Sequence, residues 1–354
     1  MPFWKIGADD PDRKGLAMKF TKSFKVGAIQ AAPYYMDVEA SLEKACDLIE
    51  RAAEIGVAVA GFSEAWLAGY PFFSTGGINR DWWRAAARFY ETAIEIPGLE
   101  TERLCALAAR TGIDVLIGVN ERDTTTQGSV YCTILTIGRE GKIIGRHRKT
   151  RATHVERALW ADGDAKRLIV HQRPYARLSA LNCWEHNSVL PGYALMMQGP
   201  QIHFALWPGR EWQPSPPAPI ALFSRQLLLS RAFASQAGCY VVCVGGLRTK
   251  QDVPEEFREF QTWDTTGDSY IIDPRGEIIA GPAIGETILV AECEPEVLWA
   301  AKVGCDPAGH YARKDLFDFR VHGQMKSSEF RERLIGEESA SMQRTTDASK
   351  DAVE

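Results

Sequence analysis

The chain has 354 residues, 45% of them hydrophobic, with a formal net charge of −5 and a pI near 5.9. That is enough apolar material for one large α/β domain or two ordinary ones, and the acidic balance offers no field for a phosphate backbone or an anionic membrane surface, so small molecules are the expected partners. The N-terminus carries acids and prolines where a signal peptide needs an apolar core, and no stretch approaches 18 uncharged apolar residues, so a cytoplasmic protein is expected.

After about two dozen polar residues, "FKVGAIQAAP" reads as a buried strand. Asp37 can cap the helix that follows, whose apolar positions Val38, Leu42, Ala45, Ile49 and Ala52 recur at helical spacing until Gly56 stops it. "VAVAGF" is a second continuous apolar strand that ends at Ser63 and Glu64, and such runs flanked by helices suggest a helix-covered sheet. Helical patterns follow in "RDWWRAAARFYETA" and "LETERLCALAARTG". Then come the strand "DVLIGVNERD" and a hairpin, "YCTILTIGREGKIIGRHRK", turning at Glu140 and Gly141.

"RLSALNC" is a strand that stops at Cys183, "LPGYALMMQG" a short helix with Gly199 as its cap, and "IHFALWP" the next strand. A further helix, "APIALFSRQLLLSRAFASQAG", leads into the strand "CYVVCVGG". "SYIIDPRGEIIAGP" then pairs two apolar runs about a Gly turn, as the earlier hairpin does, and both carry a G-x-I-I phrase, a hint of two-fold internal similarity. "ILVAECEP" closes the alternation, and the chain after about residue 323 is polar and short of aromatics, which reads as a mobile tail.

Eight cysteines in so long a chain are too dilute for a disulfide scaffold, and none lies in a CxxC pair or beside metal-spaced histidines. Unpaired cysteines are most often small buried hydrophobes, and that reading holds for Cys132, Cys239, Cys243 and Cys293 within strands and for Cys46 and Cys105 on helices. Cys183 differs by position: it ends an apolar strand and begins a polar turn, where α/β folds set reactive groups. His186 shares that turn, yet Cys–His enzymes usually bring their histidine from elsewhere in the chain. His147 and His154 have surface roles as their default. Glu64, directly after a buried strand, becomes a usable general base if burial raises its pKa. Lys149 closes the basic run "GRHRK", where a charged strand end is the plainer reading.

Taken together, "SEAWLAGYP", "RHRKTRATHVERALWADGD" and "NCWEH", in that order and spacing, resemble the three blocks of the nitrilase branch of the carbon–nitrogen hydrolase superfamily. The resemblance runs from about residue 24 to 322, and "HYARKDLFDFRVH" is similar to the block that closes the nitrilase core. It implies three parts: an N-terminal extension (1–23), a hydrolase domain (24–322) and a polar tail (323–354). It implies a four-layer α-β-β-α sandwich, which the element pattern alone does not separate from a doubly wound single sheet.

Residue by residue, the resemblance implies Cys183 as nucleophile, Glu64 as general base, Lys149 as cationic stabiliser and Glu156 as a second glutamate that orients substrate and base. Trp184, Trp207 and Tyr70 are candidates to line a substrate pocket. The implied reaction converts an organic nitrile to its carboxylic acid and ammonia through a covalent thioimidate and thioester. It needs no metal or organic cofactor, and a thiolate favoured by Lys149 makes the attack. Family members dimerise through helices that would here include "LPGYALMMQG", and nitrilases extend such dimers into spirals.

Ser63 stands where relatives often have proline, and "TRAT" where they have a Leu-Lys-Pro-like run, departures that bear on substrate range more than on reaction class. An amidase or amide-releasing enzyme of the same superfamily, a papain-like Cys183–His186 hydrolase and a non-catalytic binding protein with the same fold are the alternatives. Aliphatic, aromatic, arylacetic and cyanide-type nitriles all stay open.

Overall fold

The computed structural model describes residues 20–126, 128–209, 225–262 and 264–323. Its first half runs β1 (Phe24–Gln30), α1 (Val38–Glu54), β2 (Val57–Gly61), α2 (Arg80–Glu91), α3 (Leu99–Thr111), β3 (Asp114–Arg122) and the hairpin β4 (Val130–Gly138) and β5 (Lys142–Arg148). The second half runs β6 (His171–Gln172), β7 (Arg177–Asn182), α4 (Val189–Met196), β8 (Ile202–Trp207), α5 (Arg225–Ala237) and β9 (Tyr240–Gly245). A small ribbon of β10 (Leu247–Arg248) and β11 (Thr265–Thr266) follows, then the hairpin β12 (Tyr270–Ile272) and β13 (Ile278–Ala280), β14 (Thr287–Cys293) and α6 (Pro295–Gly304).

Two six-stranded sheets result, ordered β14-β1-β2-β3-β4-β5 and β13-β12-β9-β8-β7-β6. In each, three parallel strands (β1, β2, β3 and β7, β8, β9) are followed by an antiparallel hairpin on one side. One antiparallel strand, β14 or β6, flanks the other side. The two hairpins that share a G-x-I-I phrase thus occupy equivalent places, and the internal similarity extends to every strand of the two sheets.

Period-two alternation decides what each sheet face packs against. Val26, Ala28, Val59, Leu116 and Ile134 of the first sheet meet Leu178, Ile202, Phe204, Leu206, Val242 and Val244 of the second in one buried cluster between the sheets. Their odd-numbered neighbours Ile117, Leu135 and Ile137 turn outward onto Leu42, Ala45, Ile49, Leu104 and Leu107 of α1 and α3. Leu181, Ala205, Val241 and Cys243 turn outward onto α4 and α5. The layers are therefore helix, sheet, sheet, helix, and the doubly wound alternative is excluded.

Local signals behave as their chemistry requires. The Asp37 carboxylate accepts from Ala40 N at the start of α1, and Gly56, at φ +83°, supplies the left-handed residue that turns the chain into β2. Gly61 lets the sheets approach, since a Cβ there would lie 2.5 Å from the Phe204 ring. The apolar core already includes Phe20, inside the expected N-terminal extension: it is buried, and its ring lies 5.0 Å from that of Phe24. The rest of that extension before residue 20, and all of the expected tail after residue 323, lie outside the described residues. Among the described residues no helix is long and apolar enough to cross a membrane.

Candidate active site

Glu64, Lys149 and Cys183 follow β2, β5 and β7, and all three come from strand ends. After β2 the chain crosses over β3, with Phe62 N donating to Leu116 O (2.8 Å) and Leu67 N to Gly118 O (2.9 Å). Only glycine fits at 118, because a Cβ would lie 2.3 Å from Ala65 N and 2.4 Å from Ser63 O. Ala65 and Ala68 both take left-handed backbone, at φ +48° and +69°, a strain sustained by those contacts. Glu64 N donates to Trp207 O (3.3 Å), which ties this loop to β8 of the other sheet.

Lys149 is held by its backbone, N donating to Cys132 O at 2.7 Å, and its side chain is buried. The ammonium Nζ donates to Glu64 Oε1 at 2.7 Å and to Glu156 Oε2 at 2.8 Å. Glu156 also accepts from Thr153 N (2.7 Å) and, at Oε1, from the Tyr70 hydroxyl (2.5 Å). Cys132 completes the set, its thiol donating to Glu64 Oε1 at 3.5 Å. Glu64 Oε2 is buried and accepts no hydrogen bond among the described residues, so this oxygen remains free to take a proton.

Cys183 opens a single 3-10 turn, Cys183–His186, and has φ +44°, unusual for a residue with a side chain. The turn is stapled to the Lys149 segment by Glu185. This buried carboxylate accepts from Asn182 N (3.0 Å), Thr150 N (2.8 Å), Thr150 Oγ1 (2.7 Å) and His147 Nε2 (2.9 Å). Burial opposes its charge, but the imidazole of His147 and the backbone N–H groups outweigh burial and bring the carboxyl down to about 2.

The electrostatics of the cluster follow from one cation shared by two anions in a buried site. Burial, eased by Lys149 and reinforced by the Glu156 charge, pushes Glu64 up to about 7. Lys149 is held well above its ordinary range, because the two carboxylates outweigh the cost of burial, and it stays an ammonium. Burial pushes the Cys183 thiol well up, the Glu64 and Glu156 charges add to this, and Lys149 and the Trp184 N–H pull it back only in part. The balance of these effects favours the neutral form of the Cys183 thiol. One ammonium already committed to two carboxylates does little to support a third buried anion, so the thiolate expected in the attack is not the form favoured before it.

Other expectations fare unequally. His147 is buried on Glu185 and not at the surface, because β5 turns it away from solvent; His154 is exposed as expected. Lys149 is no solvated strand end. Cys132 is buried, as its core reading holds, yet its thiol serves Glu64. Tyr70 belongs to the polar cluster through Glu156, with its ring edge-on to Trp160 (5.6 Å). Trp207 is buried against His186, and the Trp184 indole lies between His154 (5.0 Å) and the Arg225 guanidinium (4.5 Å). His186 donates from Nδ1 to Cys183 O and not to the sulfur, which removes the basis for a papain-like pair. The residues missed in the sequence are Glu185, inside a block already noted, and His203, whose signal is one imidazole in the otherwise apolar "IHFALWP".

Residues 25–302 match the carbon–nitrogen hydrolase family. Over 298 residues, covering 84% of this chain and 91% of the relative, the sequence is 46% identical to Nitrilase 2 from an unknown prokaryotic organism. It is 34% identical to an aliphatic nitrilase of Rhodococcus rhodochrous, with 86% of this chain and 84% of that one covered. Among solved structures, Nit3 of Saccharomyces cerevisiae, a nitrilase-superfamily member, superimposes with a TM-score of 0.66 at 20% identity, covering 84% of this chain and 100% of that one, which supports the sandwich fold. The chain therefore belongs to the nitrilase branch of the carbon–nitrogen hydrolase superfamily, hydrolases of carbon–nitrogen bonds other than peptide bonds.

Proposed function

We propose that this protein hydrolyses an organic nitrile to the carboxylic acid and ammonia, with Cys183 as covalent nucleophile. The observation that carries the reading is the shared ammonium of Lys149, which holds Glu64 and Glu156 at 2.7 and 2.8 Å while all three charges act on the Cys183 thiol.

A carboxylate at about 7 beside a neutral thiol suits a proton transfer that accompanies attack. Sulfur bonds to the nitrile carbon as its proton passes through Glu64 to the nitrile nitrogen, giving a thioimidate. Glu64 then deprotonates a water that adds to the same carbon. Glu64 returns that proton to the nitrogen and then relays the adduct's hydroxyl proton to it, so ammonia leaves as the C–OH carbon becomes the thioester carbonyl. A second water, activated in the same way, releases the acid and restores the thiol. Lys149 and the Trp184 N–H stabilise the negative charge that develops at each addition, a role in which one lost donor costs on the order of 100-fold or more in rate. Glu156 and Tyr70 hold Lys149 in place.

The test is Cys183→Ala together with intact-protein mass spectrometry of Glu64→Gln mixed with a nitrile. The first variant should lose ammonia release entirely. The second, lacking the relay that carries the thiol proton to the nitrile nitrogen, should lose ammonia release on the order of 100-fold or more and show no protein heavier by the mass of the nitrile. Activity in Cys183→Ala would overturn the reading.

We also propose a dimer or larger homo-oligomer in which α4 takes part, a reading supported by the adjacent Val189 and Leu190, 76% and 63% exposed at its start. Leu190→Glu should lower the solution mass measured by light scattering, and an unchanged mass would remove α4 from the interface.

A further inference from the structure

Behind the Cys183 turn lies a chain of three polar side chains that the proposed reaction does not use. Ser179 Oγ lies 2.7 Å from His203 Nδ1, His203 Nε2 lies 2.9 Å from His186 Nε2, and His186 Nδ1 lies 2.8 Å from Cys183 O. Ser179 and His203 are fully buried on β7 and β8, and His186 is partly buried. His186 stacks on Trp207 (5.3 Å, 22°) and His203 on Phe233 of α5 (3.8 Å, 19°).

The end of the chain fixes every proton in it. A carbonyl only accepts, so His186 carries its hydrogen on Nδ1. Burial lowers the His186 pKa to about 4 and that of His203 well below its ordinary range, so both rings are neutral near pH 7. A neutral His186 leaves Nε2 bare, which must accept from His203 Nε2–H. His203 Nδ1 is then bare in turn and accepts from the Ser179 hydroxyl. The donors all run one way, and they terminate on the backbone oxygen of the proposed nucleophile.

Imidazoles placed here are costly where apolar side chains would fill the same space, as they do at neighbouring positions on the helix-covered face of β7 and β8 and on α5. What the chain secures is a residue that needs holding: Cys183 sits at φ +44°, a conformation that persists only when its surroundings over-determine it. Trp207 supplies the link across the site, since its ring supports His186 while its carbonyl accepts from Glu64 N (3.3 Å).

We infer that the Ser179–His203–His186 chain positions the nucleophile by holding the Cys183 carbonyl, and with it the left-handed turn that aims the thiol and the Trp184 N–H. This rests on Cys183 acting as nucleophile. His186 is a positioning residue and takes no proton from the thiol.

The test compares His186→Ala, His186→Asn and Ser179→Ala by kcat, KM and thermal midpoint, with Cys183→Ala as control. An Asn amide nitrogen reaches the place of His Nδ1, so His186→Asn keeps the bond to the carbonyl and loses only the link to His203. His186→Ala should lower kcat at least about tenfold with KM within about threefold, and His186→Asn should stay within about threefold of the parent. Ser179→Ala, which removes only a hydroxyl and leaves a folded protein, should lower kcat about 2- to 10-fold, as the loss of one distal hydrogen bond predicts. Parent-like kcat in both His186→Ala and Ser179→Ala, or His186→Asn as impaired as His186→Ala, overturns the inference. Activity in the Cys183→Ala control instead removes the functional reading beneath it, so the two failures are told apart.

Discussion

Replacing Glu156 by Gln tests the electrostatic heart of the site without touching either group proposed to react. Glu64 Oε1 and Glu156 Oε2 flank one ammonium at 2.7 and 2.8 Å, so they lie no farther apart than about 5.5 Å. Two like charges at that distance repel by about 3 kcal/mol at an effective dielectric of 20, equivalent to about 2 pK units. Part of the rise of Glu64 to about 7 is this repulsion, after the larger effect of burial. Removing the Glu156 charge therefore lowers the Glu64 pKa, and its basic form persists to lower pH. The acid limb of the kcat/KM profile, read by ammonia release, should fall near pH 7 in the parent and move down by on the order of 1 to 2 pH units in Glu156→Gln. Plateau activity drops as well, because Lys149 loses an anchor. An acid limb that stays in place, or moves up, would refute the shared-cation reasoning.

Lys149→Met strands two buried carboxylates, so it should cost about 3–5 kcal/mol of stability by urea unfolding besides abolishing activity; an unchanged midpoint would mean the ammonium does not compensate them. Gly118→Ala should displace the Glu64 loop, since the new Cβ falls 2.3 Å from Ala65 N, and reduce kcat by about 100-fold; parent-like turnover would show that the loop accommodates it. Glu185→Gln removes a carboxyl held at about 2 against an ordinary 4.5, worth on the order of 3 kcal/mol. Because the folded value is depressed, that contribution is complete above about pH 4.5 and disappears as pH falls toward 2. The stability gap between parent and variant should close over that window, and a gap independent of pH would rule out the charge as its source.

Much of this was legible in the sequence where a local signal had one physical meaning. Asp37 and Gly56 bounded α1, apolar runs gave the parallel strands, and the strand ends pointed to Glu64 and Cys183. Lys149 and Glu156 were reached through the three blocks, since a basic run at a hairpin end reads alone as solvated surface. What stayed hidden depended on long-range packing. His147 alternates inward on β5 only because β7 and its turn lie opposite, so that its carboxylate partner, Glu185, is 38 residues away in sequence. The electrostatic pull on the Cys183 thiol depends on how many carboxylates share one lysine, which spacing does not count. Two-fold similarity looked like a pair of hairpins, and pairing of β14 and β6 at the matching edges was needed to show its extent.

The duplicated sheets divide the site between them: Glu64 and Lys149 follow strands of the first sheet, and Cys183 follows a strand of the second. Neither half holds all of these side chains, so the cluster comes together only where the seam that includes Val59 and Phe204 closes. Either half alone should therefore release no ammonia, and co-expression of the two halves tests whether closing the seam restores it.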